Sequence, residues 1–219
     1  ILPRSGSYIG TLIDDLVTRG TNEPYRMMTS RSEFRLLLRQ DNADLRLTPT
    51  GYACGLIPEE RYRAFLRKRE QEQSEKARLE ATFLSPEKVN PLLTSWGMDP
   101  VASGVSLADL LRRPGVTYAA LAPLDAARPS LPLAVCHTVE TDVKYAGYIR
   151  RELAEVDRQK KLESKSLPPD LPYSSIRGLR LEAAQKLAAH KPLTVGQASR
   201  ISGVSPADIS VLLLYLGLR

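Results

Sequence analysis

The 219-residue chain is poor in the residues that make metal sites, disulfide scaffolds and membrane spans. It has two cysteines, Cys54 and Cys136, and no second Cys or His lies at metal-ligand spacing near either. That excludes the common zinc patterns and leaves two reduced thiols in a cytosolic protein as the expectation. The two histidines, His137 and His190, likewise have no Cys or carboxylate partner at a recognisable spacing. Neither GxGxxG nor GxxxxGK[ST] occurs, which excludes a self-contained nucleotide-binding enzyme of the common types. No apolar run approaches ~20 residues, so no membrane-spanning helix is expected. Ile1-Leu2-Pro3-Arg4 is not a charged leader before an apolar stretch, and without an initiator Met it reads as the start of a piece of a longer protein. Aromatics are 6%, and no segment alternates apolar and polar residues as a half-buried strand would.

What is present points to helices. The 34 Leu and 21 Ala outnumber the 32 Val, Ile and Thr together. Leu and Ala favour helices, while β-branched side chains favour strands, so an all-α fold is expected. The length suffices for one large or two small domains with real cores. The net charge is +6, and the basic excess is greatest near the C-terminus: residues 151–219 carry eleven basic and seven acidic side chains.

Ile9, Leu12, Ile13, Leu16 and Val17 mark one helical face over Tyr8–Arg19, with Gly20 as its expected stop. A loop with breakers Asn22 and Pro24 follows. Ser30-x-x-Glu33 has the form of a capping box and predicts a helix with Phe34, Leu37 and Leu38 inward. Asp41–Asp44 is a turn or a helix restart, and Thr48-Pro49-Thr50-Gly51 a break. Pro58 opens a long charged helix to about Thr82, and 131–161 predicts one long helix or a pair. Shorter helical pieces are expected at 86–95, 106–112 and 117–122. Leu167-Pro168-Pro169-Asp170-Leu171-Pro172 reads as a stiff linker. Three compact helices follow at 180–190, 194–202 and 206–216, with Thr194 and Ser205 as N-caps, Gly203 as a stop and Pro206 at N1. Ile209, Leu212, Leu213 and Leu216 are candidates for the core or for a partner face.

Two segments offer chemistry. On the expected helix, Arg31, Arg35 and Arg39 fall four apart and stack along one side, flanked by Arg26 and Arg46. Guanidinium groups pair bidentately with phosphate or carboxylate. The stripe is therefore either a phosphate-binding surface or an ion-pair network with Glu33, Asp41 and Asp44. The second segment, 194–209, has the outline of a helix-turn-helix. Its second helix starts Ala207-Asp208-Ile209 and is nearly all apolar, which argues against a reader of DNA bases and for a core or docking element.

Tyr8 to Leu16, the whole 23–48 segment, Leu171-Pro172-Tyr173 to Leu179, and 194–216 together resemble the C-terminal part of the GidA/MnmG family, with long motifs in the family's order. Residues 83–135 carry no motif of it. The resemblance implies a large, homodimeric, cytoplasmic, FAD-dependent enzyme, using NADH, that makes the 5-carboxymethylaminomethyl modification of wobble uridine in tRNA. It implies work with a partner GTPase of the MnmE family; the apolar second helix of 194–209 separately argues against sequence-specific DNA binding. The Rossmann-like FAD domain and the catalytic cysteines would lie upstream, so no catalysis is assigned to Cys54 or Cys136 and no tight cofactor binding to this chain. Residues 1–48 would form the junction to the FAD domain with the Arg motif, 49–166 a middle helical domain, and 167–219 a bundle docking the GTPase and tRNA. Asp14 and Asp15 would help seat the flavin-domain junction. Arg26 and Arg35, with neighbours Arg31 and Arg39, would bind tRNA. Arg177, Arg180, Lys186, Lys191 and Arg200 would supply contacts in the bundle.

Overall fold

A computed structural model describes residues 2–18, 20, 21 and 23–217. The expected Arg19 and Asn22 positions lie outside the described residues. The helices are α1 (Tyr8–Thr18), α2 (Ala43–Ala53), α3 (Glu59–Ala81), α4 (Pro86–Ser95), α5 (Leu107–Leu111), α6 (Leu133–Glu163), α7 (Leu181–His190), α8 (Val195–Arg200) and α9 (Pro206–Tyr215). Short 3₁₀ turns lie at Thr29–Arg31, Ala119–Leu124 and Tyr173–Ser175. Two two-residue strands, β1 (Phe83–Leu84) and β2 (Val105–Ser106), pair antiparallel, with Phe83 opposite Ser106. The fold is all-α with this one small ribbon. The chain forms two compact units: residues to Leu38 together with those from Arg151 on, and residues 39–150.

The 39–150 unit is built on an apolar cluster of Leu79, Val89, Leu93, Leu107, Leu111 and Val139, with neighbours from α3 to α6. The long charged helix α3 buries Phe65 and Leu79, but also Glu72 and Glu75. Glu75 is held by Arg78 at 2.7 Å and by the Tyr118 hydroxyl at 2.8 Å. Burial, then that hydrogen bond to Glu75, pushes the Tyr118 pKa up to about 12. Against expectation, Thr48-Pro49-Thr50-Gly51 does not break the chain; α2 runs through it. Proline removes one intrahelical hydrogen bond, but its φ is already helical, and α2 packs along α3.

In the other unit, Leu167, Tyr173, Ile176, Leu187, Val195 and Leu212 form the core of the terminal bundle. Its expected punctuation is realised. Thr194 accepts from the Gln197 amide, Ser205 and Asp208 form a reciprocal capping box, and Gly203 takes a left-handed φ of 93°. Ile209 and Leu212 are core, and Leu213 and Leu216 pack half-buried against it.

Helix α1 is turned the other way from a simple amphipathic helix. It buries Gly10, Thr11 and Asp15, while Ile9, Ile13, Leu16 and Val17 face outward, Val17 with 76% exposure. Gly10 is there because the N-terminal segment crosses it; a Cβ would lie 2.7 Å from the Leu2 carbonyl oxygen.

Candidate functional site

The expected helix after Ser30 is absent. Residues 29–31 make a 3₁₀ turn, and Phe34 accepts from the Leu37 and Leu38 amides in a single turn. The capping box fails because Glu33 is taken elsewhere: Arg4 grips its carboxylate at 2.8 and 3.1 Å. Glu152 of α6 accepts from the Leu37 amide at 3.1 Å and the Leu36 amide at 3.4 Å, replacing the bonds a helix would make. Phe34 and Leu38 pack in a small cluster with Val156, Tyr8 and Leu37. Arg31, Arg35 and Arg39 therefore do not stack on one helix.

Their environments differ instead. Arg39 belongs to the 39–150 unit, bonded to Asp41 at 3.0 Å and Asp142 at 2.7 Å. Burial works against its charge, but these carboxylates outweigh it and raise its pKa above the ordinary arginine value. Arg46 donates to Asn42 and to the Arg39 carbonyl. Arg31 lies over the Tyr25 ring at 4.5 Å, and its Nε donates to the Arg26 carbonyl at 3.0 Å. Arg26 and Arg35 are exposed, and no carboxylate pairs with either among the described residues. The loop thus offers two unneutralised guanidinium groups and one stacked on an aromatic ring.

The loop is fastened from behind. The Tyr25 hydroxyl donates to Asp15 at 2.6 Å, and burial, then this bond, raises the Tyr25 pKa. Arg4 donates to Asp14 at 2.6 Å, to Asp15 at 2.9 Å and to Glu33. Burial opposes the Arg4 charge, yet Glu33, Asp15 and Asp14 hold its pKa above the usual range. Asp14 also pairs with Arg200 of α8 at 3.0 Å, and Arg200 pairs with Glu163 at the end of α6. Thr194 donates to the same Glu163 carboxylate at 2.9 Å. Asp14 and Asp15, expected to face a neighbouring domain, are thus engaged inside this cluster. Arg200, expected as a surface contact, keeps 8% of its side chain exposed. Beside the cluster lies a cavity of about 320 Å³ with Leu2, Pro3, Ile13, Val17 and Val156 in its lining.

Of the remaining bundle residues, Arg177, Lys186 and Lys191 are exposed, and no carboxylate pairs with them among the described residues. Arg180 is exposed too, but its guanidinium bonds to Asp208 at 2.6 Å and to the Gly203 carbonyl at 2.9 Å. That partner, followed by the Ser205 hydroxyl, holds the Asp208 carboxyl well below the usual range. Sequence reasoning missed Arg4, Tyr25, Glu152 and Glu163. They lie far apart in sequence with no shared motif; the pairing of Arg4 with Asp14 and Asp15 spans a turn and a helix.

No cluster of three or more His, Cys, Asp or Glu fit to hold a metal occurs among the described residues. Cys54 and Cys136 are free thiols. No helix among the described residues is long and apolar enough to cross a membrane.

Residues 59–153 match the family model described as the tRNA modifying enzyme MnmG/GidA C-terminal helical domain. Residues 155–219 match the one described as that enzyme's C-terminal helical bundle. The middle stretch without a recognisable motif therefore lies within a family domain. A tRNA uridine 5-carboxymethylaminomethyl modification enzyme MnmG of Caldicellulosiruptor saccharolyticus is 55% identical over 217 residues, covering 99% of this chain and 35% of that protein. The MnmG of Alkaliphilus oremlandii is 58% identical over 217 residues, covering 99% and 34%. The solved structure of Aquifex aeolicus GidA superposes with a TM-score of 0.75 at 40% identity, covering 99% of this chain and 34% of that one. The chain thus spans about a third of the length of the relatives it matches. A helical fold, two family domains in tandem and this similarity across nearly its whole length agree: the chain belongs to the MnmG/GidA family of tRNA-modifying enzymes, as its C-terminal helical region.

Proposed function

We propose that this chain is the tRNA- and partner-binding portion of a cytoplasmic, homodimeric, FAD- and NADH-dependent enzyme. With a partner GTPase of the MnmE family, that enzyme installs the 5-carboxymethylaminomethyl group on wobble uridine. The observation that carries the reading is the loop from Glu23 to Arg35. It presents Arg26 and Arg35 without carboxylate partners among the described residues, while Tyr25 and Glu33 are fastened to α1 and the N-terminal segment. Two exposed guanidinium groups on a loop anchored at Tyr25 and Glu33 suit an RNA phosphate backbone.

The role is positional. Arg26 and Arg35 neutralise phosphates, and Arg31, stacked on Tyr25, stiffens the loop between them. Exposed Leu181, Leu193, Leu214 and Tyr215, with Arg177, Lys186 and Lys191, support the 167–219 bundle as the docking element for the GTPase and tRNA. The outward apolar face of α1 seats the remainder of the longer enzyme. Flavin binding finds no support in these residues. Among those described there is no parallel sheet and no glycine-rich strand-to-helix turn to cradle a dinucleotide.

The test is the affinity of the chain for an unmodified tRNA transcript with uridine at the wobble position. Arg26→Ala/Arg35→Ala is expected to weaken binding and to lower the slope of log K against log salt by about 2. Unchanged affinity and slope sink the assignment. The competing reading, a structural module with its arginines in ion pairs, has direct support at Arg39. It predicts intact affinity and reduced thermal stability for the double variant. Duplex DNA shifted sequence-specifically by residues 162–217 would favour a helix-turn-helix role; Asp208 and the capping box at the start of α9 argue against it.

A further inference from the structure

We infer that Arg200 is a positioning residue for tRNA binding: it acts through Asp14 and Arg4 on the Arg26/Arg35 loop and touches no phosphate itself. This rests on the proposed tRNA-binding role of that loop and adds how the loop is held and what else it senses.

The geometry is a chain of alternating charges inside one compact unit. Glu163, the last residue of α6, pairs with Arg200 of α8. Arg200 reaches Asp14 of α1 with two nitrogens, each at 3.0 Å. Asp14 and its neighbour Asp15 both accept from Arg4, at 2.6 and 2.9 Å. From there the chain reaches the loop twice: Arg4 grips Glu33, and Asp15 accepts from Tyr25. Those two residues bracket Arg26 and Arg31, and Arg35 follows Glu33 by two positions. One cluster thus fixes both ends of the loop and one helix of the bundle.

Arg200 is poorly placed for direct RNA contact. Its guanidinium is committed to two carboxylates and is largely buried, so presenting it to a phosphate would leave Glu163 without its counter-charge and Asp14 with Arg4 alone. Loss of Arg200 leaves Asp14 leaning on Arg4 alone, and Arg4 already serves three carboxylates. The grip on Glu33 then loosens, and the loop arginines lose their fixed spacing. Because α8 belongs to the bundle proposed to dock the GTPase, a partner that shifts α8 alters tRNA affinity by the same route.

The test measures affinity of the 219-residue chain for the same tRNA transcript in Arg200→Gln, Glu33→Gln and Arg26→Ala/Arg35→Ala backgrounds, singly and combined. Arg200→Gln is expected to weaken binding roughly fivefold. Glu33→Gln, at a half-exposed position tolerant of change, is expected to weaken it similarly. Removing an acidic group from a basic surface would otherwise strengthen RNA binding, so a loss there reports lost positioning. Both losses are expected to vanish in the Arg26→Ala/Arg35→Ala background. An Arg200→Gln effect that instead adds in full to the loop variant identifies a direct phosphate contact and overturns the proposal. So does unchanged or stronger binding in Glu33→Gln, or unchanged binding in a folded Arg200→Gln. The parent reading fails separately, if the Arg26→Ala/Arg35→Ala variant alone binds normally.

Discussion

At the scale of single residues, charge placement decides more than charge count. Arg26 and Arg39 are the same side chain thirteen positions apart, yet one is exposed without a carboxylate partner among the described residues and the other lies between Asp41 and Asp142. The arginine pattern was legible in sequence; the pairing was not, because Asp142 is more than a hundred positions from Arg39. Asp208 makes a second case. Its pKa is depressed by Arg180 and by the Ser205 cap, so its stabilisation is present above the ordinary carboxylate pKa of ~4 and is lost as pH falls below it. Thermal melts of the chain are expected to show the bundle weakening below about pH 4, with a shallower acid dependence in Asp208→Asn. Ser205→Ala removes the cap of α9 and is expected to cost about 1 kcal/mol in the same assay. Glu72 has the opposite sign. It is 1% exposed, Lys68 approaches to only 3.6 Å, its Oε1 has no hydrogen-bond partner among the described residues, and burial raises its pKa. A raised carboxyl pKa means the penalty is absent below about pH 4, grows as pH rises from there to the folded value, and is constant above it. Glu72→Gln is therefore expected to stabilise the 39–150 unit by about 1 kcal/mol at pH 7, with the gain shrinking toward pH 4.

At the scale of elements, local signals succeeded where no distant group competed. Thr194, Gly203 and Ser205 each do what their residue types favour, because capping is settled within a few residues. The capping box at Ser30-x-x-Glu33 has the same local chemistry and fails. Arg4 takes Glu33 from the Ser30 amide, since a pair of hydrogen bonds from a guanidinium to a carboxylate outweighs a single bond from a neutral amide. Helix α1 shows the reverse error. Its apolar spacing marks a helix correctly, but not which face is inward; Asp15 and Thr11 are buried because Arg4 and its carbonyl meet them. Gly10 permits that arrangement by letting the backbone of Leu2 and Pro3 cross α1. Gly10→Ala is expected to push that segment away and destabilise the unit by about 1–3 kcal/mol in urea titration. An exposed Leu16→Ala on the same helix is expected to leave the stability of the chain nearly unchanged.

At the scale of the whole molecule, the cores define what folds independently. The terminal bundle's apolar cluster lies within residues 162–216. Residues 162–217 alone are expected to give a helical circular dichroism spectrum and a cooperative melt. Residues 2–38 contribute Phe34 and Leu38 to a cluster that needs Val156 of α6, so as an isolated peptide they are expected to remain unstructured.

The sequence by itself determined the helical class, most helix positions, the caps of the bundle and the family, because these rest on periodicity, residue type and motifs a few residues long. The tertiary structure decided which arginines stay free, which way α1 faces, and that residues 23–38 form a clamped loop. Those outcomes depend on where carboxylates from distant segments arrive. Glu33, Glu152, Glu163 and Asp142 settle them through contacts whose partners lie 29 to 116 positions away along the chain.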